Sequence, residues 1–381
     1  MPRLSGRVCD PLLFSKSYTA SLRTASPTHT IQHPTTSILF FSTTKPFRYP
    51  FSPRGTFKSP PPSNTNKTAS TKPIIATILF SLAAASAGAV VYFRPGIGRD
   101  IGASNMSDKL VPKNPDEVMV IRDVTPNVVT FSVPFLRFGK IPIGGRGTLV
   151  KLSNGSLAVF SPVSLTPSAL AKISTIGTGQ VAYIIATDTE HHIFISEWAK
   201  AFPSAKIVGP EGLPEKRSKV TNDERIGHEP FSVVFTKENK SSIKIDDAFD
   251  ADFGYEYVDA HPNKELVFYY KPDKVLIEAD LMFNLPAVEQ YSKVPDEQKP
   301  QGGLLGRIFT GMNSTGGEAK GIKRFLWYAI SRGDRTGFNE SVRRIREWGF
   351  ETIVPCHGET IVGNGKEVYD KVFEWHLVGH K

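Results

Sequence analysis

Five side chains in this 381-residue chain have the types and positions that could do chemistry. His191 and His192 close the segment Thr187-Asp188-Thr189-Glu190-His191-His192, directly after the apolar run VAYIIA. His261 follows EYVDA, Asp280 ends VLIEAD and His357 follows TIVPC. Imidazole and carboxylate are borderline ligands suited to zinc, iron or manganese. Three or four of them on one ion would leave an open position where water becomes a nucleophile at neutral pH. A single His is more often packed or exposed than ligating. Shared placement at strand ends is what makes this set a candidate.

The elements that must position these residues alternate between strands and helices. Strands are expected at 118–121, 128–133, 149–152, 157–160, 181–186, 207–209, 231–236, 256–260, 266–270, 275–279 and 351–354. Ser153-Asn154-Gly155-Ser156 reads as a hairpin turn. Thr166 caps a short helix, with Pro167 at its first position and Gly177 past its end. Phe194 and Trp198, four apart, lie on one face of the next helix. Two later helices are expected at about 322–331 and 339–348. Such a series implies a layered α/β body, whose strand-end loops converge at one edge where ligands are usually held. The segment Pro142–Thr148 (PIGGRGT) lacks the pattern of a dinucleotide fingerprint and reads as a turn. Residues 295–319 are Gly-rich and show no clear element. They read as a flexible insertion, a lid, or a surface that touches a membrane.

The net charge of +9 sits entirely in the N-terminal arm. Residues 1–73 hold ten basic side chains and one acid, so the remainder carries 36 of each sign. A nucleic-acid-binding body loses its main support. The two cysteines, Cys9 and Cys356, fall in different segments, which excludes a disulfide scaffold and a Cys-rich zinc module. The basic, Ser/Thr/Pro-rich arm has the composition of a mitochondrial or plastid transit peptide; a disordered arm without an address is the alternative. Residues 74–93 contain no charge and, at about 1.5 Å per residue, span roughly 30 Å as a helix. They read as a single transmembrane helix, with membrane lipid as the partner. Residues 94–116 read as a linker before the body at 117–381. The expected location is the mitochondrial inner membrane, with another organelle membrane as the alternative.

The order of the body's motifs resembles that of the metallo-β-lactamase-like hydrolases over roughly residues 118–362. DAHPNKELVFYY is similar to the family's third motif, KVLIEADLMF to the strand that delivers its bridging Asp, and IVPCHGETI to its closing His-Gly motif. The resemblance implies an αββα sandwich behind the N-terminal transmembrane helix. The chain departs from the family's main motif, H-x-H-x-D-H. Thr187 and Thr189 stand in place of its first two His, and His191 in place of its Asp. Ser161 stands at an earlier Asp position. The chain thus resembles a divergent branch, of the kind called domains of unknown function. The implied second metal site is His191, His192, Asp280 and His357, with His261 peripheral. The implied first site keeps only His261.

Two function classes follow. One is a membrane-tethered hydrolase with a single zinc or iron ion, acting on a small ester, thioester or phosphoester. The other is an inactive relative serving as a binding or scaffold module, with no metal. The residues leave the substrate and any protein partner open. The apolar span predicts that alkaline extraction leaves the full-length chain in the membrane pellet; release into the supernatant would overturn the anchor.

Overall fold

The computed structural model describes residues 112–300 and 302–380, so the expected arm, the membrane span and most of the linker lie outside the described residues. Among the described residues no helix is long and apolar enough to cross a membrane. Helix α1 (Pro115–Val118) leads into strands β1 (Val120–Thr125) and β2 (Val128–Val133). A short hairpin of β3 (Leu136–Arg137) and β4 (Ile141–Pro142) follows, then β5 (Gly145–Lys151) and β6 (Leu157–Phe160). After α2 (Pro167–Ser174) the chain forms β7 (Val181–Ile185), α3 (Ile195–Ala201), β8 (Lys206–Pro210), α4 (Leu213–Ser218) and β9 (Val233–Phe235). These strands make a seven-stranded sheet in the order β1-β2-β5-β6-β7-β8-β9. Pairing is antiparallel from β1 to β6 and parallel from β6 to β9.

Helix α5 (Asp247–Asp252) opens the second half, with β10 (Phe253–Val258), β11 (Glu265–Tyr270) and β12 (Val275–Glu278). Then come α6 (Gly303–Met312), α7 (Lys320–Phe325), which continues as a π-helical turn over Leu326–Ile330, and α8 (Arg335–Arg346). Strand β13 (Thr352–Pro355) precedes α9 (Gly365–Val372) and α10 (Glu374–Val378). The second sheet runs β10-β11-β12-β13, and only its last pair is parallel.

Strand periodicity sorts the side chains into three apolar layers. Ala158 and Phe160 of β6 meet Leu266, Phe268 and Tyr270 of β11 between the sheets. Leu157 and Val159, on the other face of β6, pack against Ala169, Ile173, Ile195 and Trp198 from α2 and α3. Val267 of β11 faces the opposite way, into Phe338 and Val342 of α8 and Tyr369 of α9. The result is helix, sheet, sheet, helix: an αββα sandwich.

Most of the expected strands form, with ends shifted by a few residues. The stretch 142–148 is more than a turn, because Gly145 to Thr148 belong to β5. The stretch 295–319 is not featureless, because α6 occupies its centre. Its glycines misled the reading: Gly302 and Gly303 take φ of +63° and +54° and form the turn that starts the helix. Phe309 of α6 is then buried against Ile141, Ile143 and Phe283.

The layers rank two substitutions. Phe160 lies 5.0 Å from the Phe268 ring and 5.3 Å from the Phe253 ring, centroid to centroid, in the middle layer. Phe160→Ala should cost roughly 3–5 kcal/mol. Thr166 accepts a hydrogen bond from Ala169 N at the start of α2, and Thr166→Ala should cost only about 1 kcal/mol. Chemical denaturation of both variants checks the ranking; equal losses would contradict the layering.

Candidate metal centre

The parallel strands β6 and β7 of one sheet, and β12 and β13 of the other, end at the same edge of the sandwich. Their loops carry Ser161, the 187–192 segment, Asp280 and His357 there. The 187–192 loop is shaped by Asp188, which is fully buried. Its Oδ1 accepts hydrogen bonds from the backbone N–H groups of Glu190 and His191, a side-chain turn typical of Asp. The same carboxylate lies 2.9 Å from His191 Nδ1 and so aims the ring.

His191, Asp280 and His357 converge. His191 Nε2 and His357 Nε2 are 3.2 Å apart, and His357 Nε2 is 3.2 Å from Asp280 Oδ1. All three ligand atoms lie within 4.8 Å of one another. His357 Nδ1 donates to the Gly144 carbonyl at 2.7 Å. A carbonyl only accepts, so in the neutral ring the proton sits on Nδ1 and Nε2 carries a lone pair. Asp280 Oδ1 therefore finds no donor and has no hydrogen-bond partner, while Oδ2 accepts from Asn263 Nδ2 at 2.6 Å.

Electron pairs facing one another in a buried place favour a positive charge among them. Burial works against the charge on His191, but Asp188, Asp280 and Glu265 outweigh it and raise its pKa to about 9. Burial likewise opposes the charge on Asp280, yet the charge on His191 holds its carboxyl well below the usual range. Two imidazole nitrogens and a carboxylate oxygen form a borderline donor set of the size that zinc or iron uses. Each ligand also has an orienting partner: Asp188, Gly144 or Asn263. The residues fit a divalent ion.

The structure reverses the expected order of the adjacent histidines. His191 joins the cluster, whereas His192 points away toward Arg217. Arg217 Nη1 donates to the His192 carbonyl at 2.7 Å and lies 3.4 Å from its Nδ1. Burial, then Lys216 and Arg217, push the His192 pKa down to about 3. The physical reason is the turn: successive side chains leave it in different directions, and Asp188 selects His191. His261 is buried but outside the cluster; Asn263 N donates to its Nδ1 at 3.2 Å, and its Nε2 has no hydrogen-bond partner. Beside it, Thr187 Oγ1 shares a hydrogen bond with Ser161 Oγ.

Sequence reasoning missed the residues that hold His357. Arg146 is buried on β5. Its Nη1 donates to the carbonyls of Pro355 and Gly358 at 2.6 and 2.8 Å. Its Nε donates to Ser132 Oγ at 2.9 Å, and its Nη2 lies 3.3 Å from Glu289 Oε1. Gln290 donates to the Cys356 carbonyl and accepts from Gly358 N. Gly144, with φ of +71°, lies so close to Gln290 that an added Cβ would meet its Oε1 at 2.0 Å. The Gly-Gly-Arg run of PIGGRGT was the only available signal.

Residues 138–298 match the family model described as a domain of unknown function, DUF4336. Over that stretch, less than half of its length, the chain is similar to this family. The solved structures similar to this chain include metallo-β-lactamases and flavodiiron proteins. Among solved structures, a metallo-β-lactamase from Pontibacter korlensis is similar at 12% identity, over 68% of this chain and 99% of that one, with a TM-score of 0.41. The metal-soaked flavodiiron core of Flv1 from Synechocystis sp. PCC6803 is similar at 12% identity over 68% of this chain, with a TM-score of 0.46. A flavoprotein from Thermotoga maritima is similar at 12% identity over 68% of this chain, with a TM-score of 0.45. The chain spans 60% and 61% of the length of these two flavoproteins. The search of curated proteins gave no match.

The DUF4336 segment supplies His191 and Asp280, and His357 comes from beyond it. Both His rings reach the wall of a cavity of about 390 Å³. The Arg146 clamp predicts that Arg146→Met costs about 3 kcal/mol or more, because Glu289 and two loop carbonyls lose their buried partner. Urea unfolding measures it; a loss under about 1 kcal/mol would show that the clamp does not hold the loop.

Proposed function

We propose that the body is a metallo-hydrolase-like centre that holds one divalent ion through His191, Asp280 and His357. The observation that carries this is the 3.2 Å spacing of two inward-facing Nε2 atoms and a carboxylate oxygen without a donor. An ion held by these three residues would supply Lewis acidity toward a carbonyl or phosphoryl oxygen. The chain's own residues do the rest. Asp188 fixes the His191 tautomer, the Gly144 carbonyl fixes that of His357, and Asn263 orients Asp280. The cavity beside the two rings excludes water from the substrate. Hydrolysis of a small ester, thioester or phosphoester is the reaction class proposed. We place the body on a membrane through residues 74–93, with the basic arm as an organelle address; the motivation is the uncharged apolar run.

The inactive-scaffold alternative is motivated by Thr187 and Thr189, which stand where the resembled pattern has its first two His, and by Ser161, which stands at an earlier Asp position. Metal analysis of the purified full-length chain separates the two. We expect one zinc or iron per chain. His357→Ala and Asp280→Ala should abolish binding, whereas His192→Ala and His261→Ala should keep the stoichiometry. Asp188→Asn should weaken binding roughly 10–100-fold. No metal under any loading condition would leave the scaffold reading in place.

A further inference from the structure

We infer that the cavity beside the candidate centre takes the apolar acyl moiety of an ester or thioester, with its carbonyl end against His191 and His357. This inference rests on the hydrolase reading above and narrows its substrate class. Val133, Phe135, Phe138, Val163, Ile193 and Phe194 are the cavity's large apolar lining residues. Phe135 also stacks on the His357 ring at 6.0 Å, so apolar lining reaches one of the candidate ligands. Phe138 is half exposed and marks the opening.

The charged groups of the wall are already engaged with protein. Arg146 donates to Ser132 and to the carbonyls of Pro355 and Gly358 and pairs with Glu289. Glu190 pairs with Lys216 Nζ at 2.8 Å. Arg137 lies over the Phe138 ring, 5.2 Å from its centroid. The apolar side chains of the wall give a sugar or phosphate body few partners over most of its surface, whereas a hydrocarbon loses nothing against them. The volume of about 390 Å³ falls at the small end of ligand pockets, roughly 300–1,000 Å³. That suits a medium-length acyl group better than a long lipid chain.

The test is direct binding to the full-length chain, read by displacement of a dansyl-labelled fatty acid. Acetate, butyrate, hexanoate and octanoate serve as competitors. Affinity should rise about fourfold for each methylene added, until the cavity is full. Ser164 lines the cavity, and Ser164→Trp should fill it and weaken octanoate binding about tenfold or more. Phe138→Gly should weaken it several-fold without loss of fold, since Phe138 sits at φ +53°, where Gly is at ease. The thermal midpoint of each variant confirms that the fold persists. Equal affinity for acetate and octanoate, or a Ser164→Trp variant that binds octanoate unchanged, would overturn the inference. A chain that binds zinc but shows no chain-length dependence sinks this inference alone. A chain that shows the dependence but binds no metal retains the acyl cavity and sinks the hydrolase reading.

Discussion

A buried guanidinium joins the two sheets at the edge where the candidate site lies. Arg146 belongs to the first sheet, yet its Nη1 holds the carbonyls of Pro355 and Gly358, on either side of His357. Removing a guanidinium from water is costly, and the cost is offset only where its donors are matched and a counter-charge is close. Here Ser132, Glu289 and the two carbonyls provide the match. Burial lowers the Arg146 pKa, and Glu289 opposes that. Arg122 Nε pairs with the same Glu289 at 2.6 Å, so the network reaches β1. The position of His357 relative to His191 depends on this network, because the two residues come from different sheets.

The edge is also crowded with acid. Asp188, Glu265, Glu278 and Asp280 are buried near one another, with Arg146, Arg137 and His191 as positive counterparts. Burial and mutual repulsion raise Glu265 and Glu278 well above the ordinary carboxyl range, so these two resist ionisation. Asp188 and Asp280 are held on the low side by His191. The acids thus divide into a neutral pair behind the strands and a charged pair facing the cluster. Groups pushed apart in this way mark functional sites more often than structural ones. The geometric argument for a cation stands independently, on the lone pairs that face one another.

Much of the fold was legible because strand periodicity survives in the sequence. The β-branched and aromatic runs of β2, β6, β7 and β11 name themselves, and Thr166 with Pro167 marks the start of α2. The strand ends bearing Asp280 and His357 were legible for the same reason. What was not legible depends on side chains far apart in the sequence. Arg146 is separated by more than two hundred positions from the loop it holds, and an Arg beside two glycines looks like any surface turn. Helix α6 was hidden by glycines that serve its entry, while its Leu304, Leu305 and Ile308 remain exposed.

The choice between His191 and His192 shows most clearly what a linear reading lacks. Neighbouring residues of one type are equivalent on paper, and similarity to the H-x-H-x-D-H pattern favoured His192, the position that keeps its His. The fold decides otherwise through two charges on opposite sides of the loop. Asp188 attracts His191 inward, and Arg217, itself paired with Glu229 at 2.7 Å, engages His192 outward. A His where the family has an Asp replaces an anionic ligand with a neutral one, so Asp280 is left as the only carboxylate among the three converging ligands. Meanwhile the hydroxyls of Ser161 and Thr187 satisfy each other. What converges at this edge is therefore two imidazoles and one carboxylate, a group of the size that holds a single ion.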